Sequence, residues 1–385
     1  MTEGPIFKGL GGPGRAARPV YLDHNATAPA RPEVVAAVSE ALAEGGNASS
    51  VHARGRAARA RVEAAREHVA ALVGARPGQV VFTSGGTEAN NQALRGAGRS
   101  YAIAAAIEHD SVLAARPDAA LAPVTADGVI DLDALDALLA ARPEPAIVSV
   151  MLANNETGVI QPVAEAAAIA HRHGALVHCD AVQAAGKIPV DMAALGVDYL
   201  ALSAHKIAGP IGAGALIARD GAPLEALIRG GGQERGLRAG TENAPAIAGF
   251  GVAARLAAEG LAEFGRLAAL RDAMERRLAA IAPGAIAFGA NAPRLPNTSK
   301  VAMPGVDGAT QVMALDLDGI AVSAGAACSS GRVEAPRVLA AMGVPDALAV
   351  AAIRVSLGRT TTADDIDRLV AAWRALFLRA SLRAA

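Results

Sequence analysis

Apolar residues fall in short unbroken blocks along the first two thirds of the chain, at 80–83, 101–107, 146–152, 175–178, 199–202 and 214–218. They do not alternate with polar residues, as a strand with one wet face would. Strands that are apolar throughout are buried on both faces, the mark of a parallel sheet. Stretches with helical spacing separate most of the blocks. The pattern therefore predicts an α/β fold, a mostly parallel sheet wrapped by helices. Pro32 in a first turn and Gly45 past a last one bracket a helix over about 32–44. A second helix is expected over about 54–73, stopping at Gly74.

After Pro245 the pattern changes. A charged helical stretch over 246–282 leads to shorter elements at 298–303, 319–323 and 353–357, and a closing helix over about 362–380. This predicts a smaller α+β domain at 258–385, with 19–30 packed on it, beside a large domain at 31–257. Residues 1–18 read as a flexible leader without the apolar segment of a secretory signal.

Composition narrows the function. The 385 residues carry 36 basic and 37 acidic side chains, a net charge of −1, and only 3% aromatics. That argues against a nucleic-acid partner, which needs a basic footprint and stacking platforms. No run of about 18 uncharged apolar residues is present, so no membrane span is expected. Two cysteines, Cys179 and Cys328, exclude a disulfide framework and fit a reducing, cytoplasmic setting.

Three strings carry candidate chemistry. The block at 80–83 ends in Ser84-Gly85-Gly86-Thr87-Glu88, a strand running through small residues into a helix N-terminus. Such a terminus favours an anion, usually phosphate; a plain strand–helix turn reads equally well. Neither this string nor Gly186-Lys187 is a Walker A loop. The second string is Ser203-Ala-His205-Lys206, closing an apolar block. A lysine there is costly unless exposed, paired or covalently used, and desolvation makes it nucleophilic toward carbonyls. Of the other lysines, Lys8 lies in the leader, and Lys187 and Lys300 read as ordinary surface residues. The third is His178-Cys-Asp180, with a carboxylate at the end of a strand, where a parallel sheet opens its ligand crevice. Alone, Asp180 reads as a helix cap. Phosphate site, lysine and acid together make a pyridoxal-phosphate constellation, the acid keeping the pyridine nitrogen protonated.

His171, His173, His178 and Cys179 are close in sequence but do not converge, so no metal site is expected. Cys179 reads as a small buried hydrophobe. Cys328 sits among small residues, as an exposed loop thiol placed to react. Arg354 lies inside a strand, where a half-buried arginine pairs with a carboxylate of protein or substrate.

Together these residues resemble the cysteine desulfurases of the class V aminotransferase group. The matching strings are Tyr21-Leu-Asp-His-Asn-Ala-Thr27, Thr83-Ser-Gly-Gly-Thr-Glu88, Glu108-His109, Asn154-Asn-Glu-Thr-Gly158, His178-Cys-Asp-Ala-Val-Gln183, Ser203-Ala-His-Lys206, the run from Gly230 to Thr241, and the loop around Cys328. The long stretch from that loop to Arg337 looks like group I, the nitrogen-fixation and iron–sulfur-assembly type. The resemblance implies a fold-type-I pyridoxal-phosphate transferase with a seven-stranded sheet. It implies that Lys206 bonds the cofactor aldehyde, Asp180 pairs with the pyridine nitrogen, and Gln183 and Asn155 lie near the phenolic oxygen. Gly86, Thr87, Ser203 and His205 would hold the phosphate, joined by Thr241 from the other subunit of a homodimer. His109 would stack on the ring and move protons, and Arg354, helped by Asn155, would clamp the carboxylate of L-cysteine. Cys328 would be the nucleophile that leaves as a persulfide. It would deliver sulfur to an acceptor or iron–sulfur scaffold, with a transient iron–sulfur contact at Cys328 itself.

Two departures are visible. Ala324 and Ala327 stand where the family often has serines, with no expected effect on the chemistry. The chain also ends soon after its last helix, where many relatives extend toward the scaffold protein. A selenocysteine lyase, another class V enzyme and a non-catalytic pyridoxal-phosphate regulator are the alternatives at this stage.

Overall fold

The computed structural model describes residues 18–324 and 336–384. Within them the chain forms β1 (Val20–Tyr21), β2 (Val80–Thr83), β3 (Tyr101–Ala105), β4 (Ala120–Ala122), β5 (Ala146–Ser149), β6 (Leu176–Asp180), β7 (Tyr199–Ser203), β8 (Gly214–Ala218), β9 (Ile286–Ala287), β10 (Thr298–Ala302), β11 (Ile320–Ala321) and β12 (Ala352–Ser356).

Seven strands make the central sheet, in the order β2-β8-β7-β6-β5-β3-β4. β8 alone runs against its neighbours; every other pairing is parallel. The mostly parallel sheet is therefore as expected. Strand ends shift by a few residues, and β4 was not foreseen. It is only three residues long, and its alanines carry no strand preference.

Both faces of the sheet are covered. On one, Val80, Phe82, Val148, Val177 and Leu200 join a core with the helices Ala53–Leu72 and Ala244–Glu259. On the other, Val81, Ile147, Tyr199 and Leu216 pack on the helix Gly86–Gly96. Each fully buried Leu, Ile or Phe contributes roughly 1.5–3 kcal/mol. Two mid-helix glycines have a packing reason. A Cβ on Gly251 would lie 2.5 Å from the Ala65 Cα, and one on Gly249 2.5 Å from Val38 Cγ2. Only glycine lets the three helices Pro32–Glu44, Ala53–Leu72 and Ala244–Glu259 approach this closely.

The expected long helix over 246–282 is three helices, Ala244–Glu259, Leu261–Gly265 and Leu267–Ile281. Gly260 ends the first with its N–H on the Leu256 carbonyl, at a φ and ψ of −92° and 2°. Beyond it β12, β10 and β9 form a small antiparallel sheet, and β1 pairs in parallel with β11. Leu22, Met274, Ile353, Leu369 and the fully buried Trp373 form a separate core there. Phe288, Leu295, Val338 and Ala352 instead join the larger core, so the two parts interlock.

Candidate active site

The C-terminal ends of β6 and β7 open into a cleft of about 280 Å³. It is lined by Gly86, Thr87, His109, Asn155, Asp180, Gln183, Ser203, His205, Lys206 and Arg354. Strand geometry explains much of this convergence. Parallel strands deliver their last residues to one edge, and the crevice outside that edge is where such folds bind ligands.

Lys206 follows β7 on a short turn, Ala204–Ile207, that ends with Ala208 in the left-handed region at a φ of 62°. Its Nζ donates to the carbonyls of Asn25 at 2.6 Å and Ala26 at 2.8 Å. Burial pushes the amine down to about 8, and the Arg354 charge adds to the shift, while Asp180 and Asp23 oppose it. A lysine so placed holds a far larger neutral, nucleophilic fraction near neutral pH than an ordinary lysine does.

Asp180 ends β6 and is buried. Its Oδ1 accepts from the Val182 N–H at 2.9 Å, and its Oδ2 from Asn90 Nδ2 at 2.7 Å. Asn90 Oδ1 in turn faces His178 Nε2 at 3.1 Å, and His178 Nδ1 faces Ser149 Oγ at 2.9 Å. Burial drives His178 down to about 4, so it is neutral at physiological pH. Since Asn90 offers its oxygen, His178 carries the proton on Nε2 and accepts from Ser149. The carboxylate is thus fixed by a chain of side chains in which the sequence did not single out Asn90 or Ser149.

The other end of the cleft is built for an anion. The helix Gly86–Gly96 starts its ladder with the Ala89 N–H to the Gly85 carbonyl, leaving earlier N–H groups ahead of it. Glycine is required here, because a Cβ on Gly86 would lie 2.8 Å from Val182 Cγ2. A Cβ on Gly214 of β8 would fall 2.6 Å from the Gly85 Cα. Ser203 and His205 line the same cleft, with Ser203 Cβ 3.6 Å from where a Gly86 Cβ would lie. Burial, then Lys206, pushes His205 down to about 4.

Arg354 on β12 is buried and already has a carboxylate. Its Nη2 donates to Asp23 Oδ1 at 2.7 Å and its Nη1 to the Asn155 carbonyl at 3.1 Å, while its Nε has no partner among the described residues. His109 caps a short helix and contacts Ser111 Oγ through Nδ1 at 2.8 Å. Thr241 is exposed and outside the cleft of its own chain. Its loop is anchored beside β2 through Glu234, which takes a bidentate pair from Arg66 at 2.8 Å and the Phe82 N–H. Cys328 and Ala327 lie outside the described residues.

Cys179 is fully buried on β6, and burial raises its thiol far above the usual range, which keeps it protonated. The histidines of that region go to different partners: His171 to Asp198 at 3.1 Å and His173 to Asp136 at 2.7 Å.

Two lysines contradict the sequence reading. Lys187 and Lys300 are both buried, not surface residues. Lys187 Nζ donates to Asn25 Oδ1 and Gln183 Oε1, each at 2.7 Å. Lys300 Nζ lies 3.1 Å from Glu156 Oε2 and donates to the Ala324 carbonyl at 3.1 Å. Their partners are distant in sequence, so neither burial was visible in a local string. Sequence reasoning also missed Asn25 as a junction. Its amide donates to the Asn155 carbonyl and Thr298 Oγ1, and its carbonyl receives both Lys206 and Gln183.

A glycine cradle with hydroxyls, a desolvated amine and a fixed carboxylate at the far end match the phosphate, aldehyde and pyridine nitrogen of pyridoxal 5′-phosphate. Fold and site define an α/β pyridoxal-phosphate enzyme. Residues 20–369 match the family described as aminotransferase class-V, and the chain belongs to that family. A cysteine desulfurase of Cereibacter sphaeroides is 47% identical over 91% of this chain and 94% of its own. A cysteine desulfurase IscS of Dictyoglomus turgidum is 41% identical over 91% and 92%. Among solved structures, a NifS-like protein from Rickettsia africae superposes with a TM-score of 0.86 at 34% identity, covering 94% of this chain and 99% of that one. Enzymes of this family depend on pyridoxal phosphate.

Proposed function

We propose that the protein is an L-cysteine desulfurase that yields L-alanine and a persulfide on Cys328. The observation that carries this is the desolvated Lys206 amine in one cleft with the buried Asp180 carboxylate and the Gly86 turn. The names of its relatives support the same reading.

Bound between these groups, pyridoxal phosphate supplies an electron sink for an amino acid attached to it. Asp180 holds a proton at the pyridine nitrogen, and its bonds from Asn90 and Val182 keep it aimed there. Gly86, Thr87, Ser203 and His205 hold the phosphate, with Thr241 reaching in from the partner of a homodimer. Gln183 and Asn155 would hold the phenolic oxygen, and His109 would cover the ring and move protons. Lys206 takes the α-proton of the substrate as general base. Arg354 receives the substrate carboxylate. The Cys328 thiolate takes the sulfur: cysteine plus an enzyme thiol gives alanine plus an enzyme persulfide, which balances without an added oxidant. A soluble acceptor or iron–sulfur scaffold in the cytoplasm then receives the sulfur. Among the described residues no helix is long and apolar enough to cross a membrane. We take 19–30 with 258–385 as the smaller domain and 31–257 as the larger, a division supported by the separate core around Trp373.

The purified protein is expected to be yellow and to release alanine and sulfur from cysteine in equal amounts. Lys206→Ala should abolish the borohydride-reducible visible band. Retention of that band would sink the assignment. After brief incubation with cysteine and no reductant, mass spectrometry should find the extra sulfur on the Cys328 peptide. An adduct on Cys179 alone would overturn the mechanism.

A further inference from the structure

Among the described residues, Lys187 is a buried lysine without a carboxylate beside it. The charged or titratable groups that face it are Lys206, Arg354 and His24, none of them an anion. Its Nζ has two acceptors, Asn25 Oδ1 and Gln183 Oε1, each at 2.7 Å. An ammonium has three N–H donors and would bury one bare, whereas an amine has two and both are used. Burial and the neighbouring cations act in the same direction, pushing Lys187 well below the ordinary lysine range.

The bonds around it fix orientations in sequence. Asn25 Nδ2 must face the Asn155 carbonyl, at 3.1 Å, because a carbonyl only accepts. Asn25 Oδ1 is thereby turned toward Lys187, and it also accepts from Asn297 Nδ2 at 3.1 Å. The Asn25 backbone carbonyl only accepts, so the Gln183 atom that meets it is Nε2, which leaves Oε1 as the acceptor for the second Lys187 N–H. Gln183 Nε2 gives one N–H to the Asn25 carbonyl at 3.0 Å and keeps a second for the cleft that Gln183 lines. A flipped Gln183 would set its oxygen against the Asn25 carbonyl and strand one buried Lys187 N–H without an acceptor.

We propose that Lys187 is a positioning residue that locks the Gln183 amide so that it presents an N–H, never a carbonyl, to the cofactor's phenolic oxygen. This rests on the reading that Gln183 faces that oxygen. An N–H donated there draws electron density from the oxygen and lowers the affinity of the Lys206 nitrogen, once bonded to the cofactor, for its proton.

The test is the pH titration of the visible absorbance of the holoenzyme, with cofactor affinity of the apoprotein measured alongside. Lys187→Met should move the titration midpoint to higher pH by about 0.5 unit or more. Gln183→Ala should do the same, and the double variant should move it no further than Gln183→Ala alone. A role confined to stability would lower the melting temperature and leave the midpoint in place. If Gln183→Ala does not move the midpoint, the reading of Gln183 fails. If Gln183→Ala moves it and Lys187→Met does not, or if the two effects add, the inference about Lys187 fails. Should Lys187→Met not fold, Lys187→Leu replaces it. A protein that folds with neither uses the amine for its core, and the inference is overturned.

Discussion

At the scale of the residue, the site depends on taking titratable groups out of water. Lys206 and His178 are both moved toward their neutral forms by burial. Glu108, fully buried behind the cleft, is moved the same way, up to about 8, by burial first and then by the Asp180 charge. Its Oε1 accepts from the Met151 N–H at 2.5 Å, and its Oε2 has no partner among the described residues. A carboxyl raised in the folded state contributes fully below its unfolded pKa near 4.5, and that contribution is lost as the pH rises through the folded value. The stability of Glu108→Gln should therefore gain on the parent progressively from pH 5 to pH 8, by on the order of 2–4 kcal/mol. Parallel denaturation curves at pH 5 and 8 check this, and a constant difference would show that Glu108 stays ionised. Lys206 and Asp180 were legible in the sequence because each is the last polar residue after an apolar block. Lys187 was not. Its partner Asn25 is 162 positions away, and nothing local distinguishes a lysine on a turn from one sealed beneath it.

At the scale of the element, a buried charged pair helps tie the small sheet to the site. Lys300 of β10 lies opposite Arg354 of β12, and its ammonium meets Glu156 on the loop that also carries Asn155. Both partners are almost wholly buried. Removing one member leaves a buried charge unopposed, which costs about 3–5 kcal/mol, whereas removing both is close to neutral. Lys300→Met is thus expected to lower stability by that amount, and Lys300→Met with Glu156→Gln to recover most of it. Chemical denaturation of the two variants decides, and equal losses would place the cost in packing alone. The elements themselves were the most readable part of the chain. Long apolar blocks gave six of the central strands, because burial on both faces leaves no room for polar residues. Three-residue β4 and the break at Gly260 escaped, since a short strand and a tolerated glycine leave little periodic signal.

At the scale of the whole molecule, distant parts of the chain meet at the proposed substrate anchor: Asp23 near the start, Asn155 in the middle and Arg354 near the end. The sequence left open whether Arg354 serves a protein or a substrate carboxylate. The structure gives it Asp23, and a substrate carboxylate must take up or share the same guanidinium. Arg354→Ala removes several charge-assisted hydrogen bonds, on the order of 2–4 kcal/mol. The expected result is a KM for cysteine raised roughly 30-fold or more with the visible band intact. Loss of the band instead would make Arg354 part of the frame that holds the cofactor. The same convergence has a consequence for how the protein is made. The Asn25 N–H binds Ser356 Oγ, 331 residues away, and the Asn25 side chain binds Thr298. At roughly 5–20 residues per second, a ribosome needs tens of seconds to pass from one to the other. Once Lys206 has been made, the emerging chain carries it with an Asn25 that still lacks its final anchors. Firm capture of the cofactor belongs to the finished polypeptide.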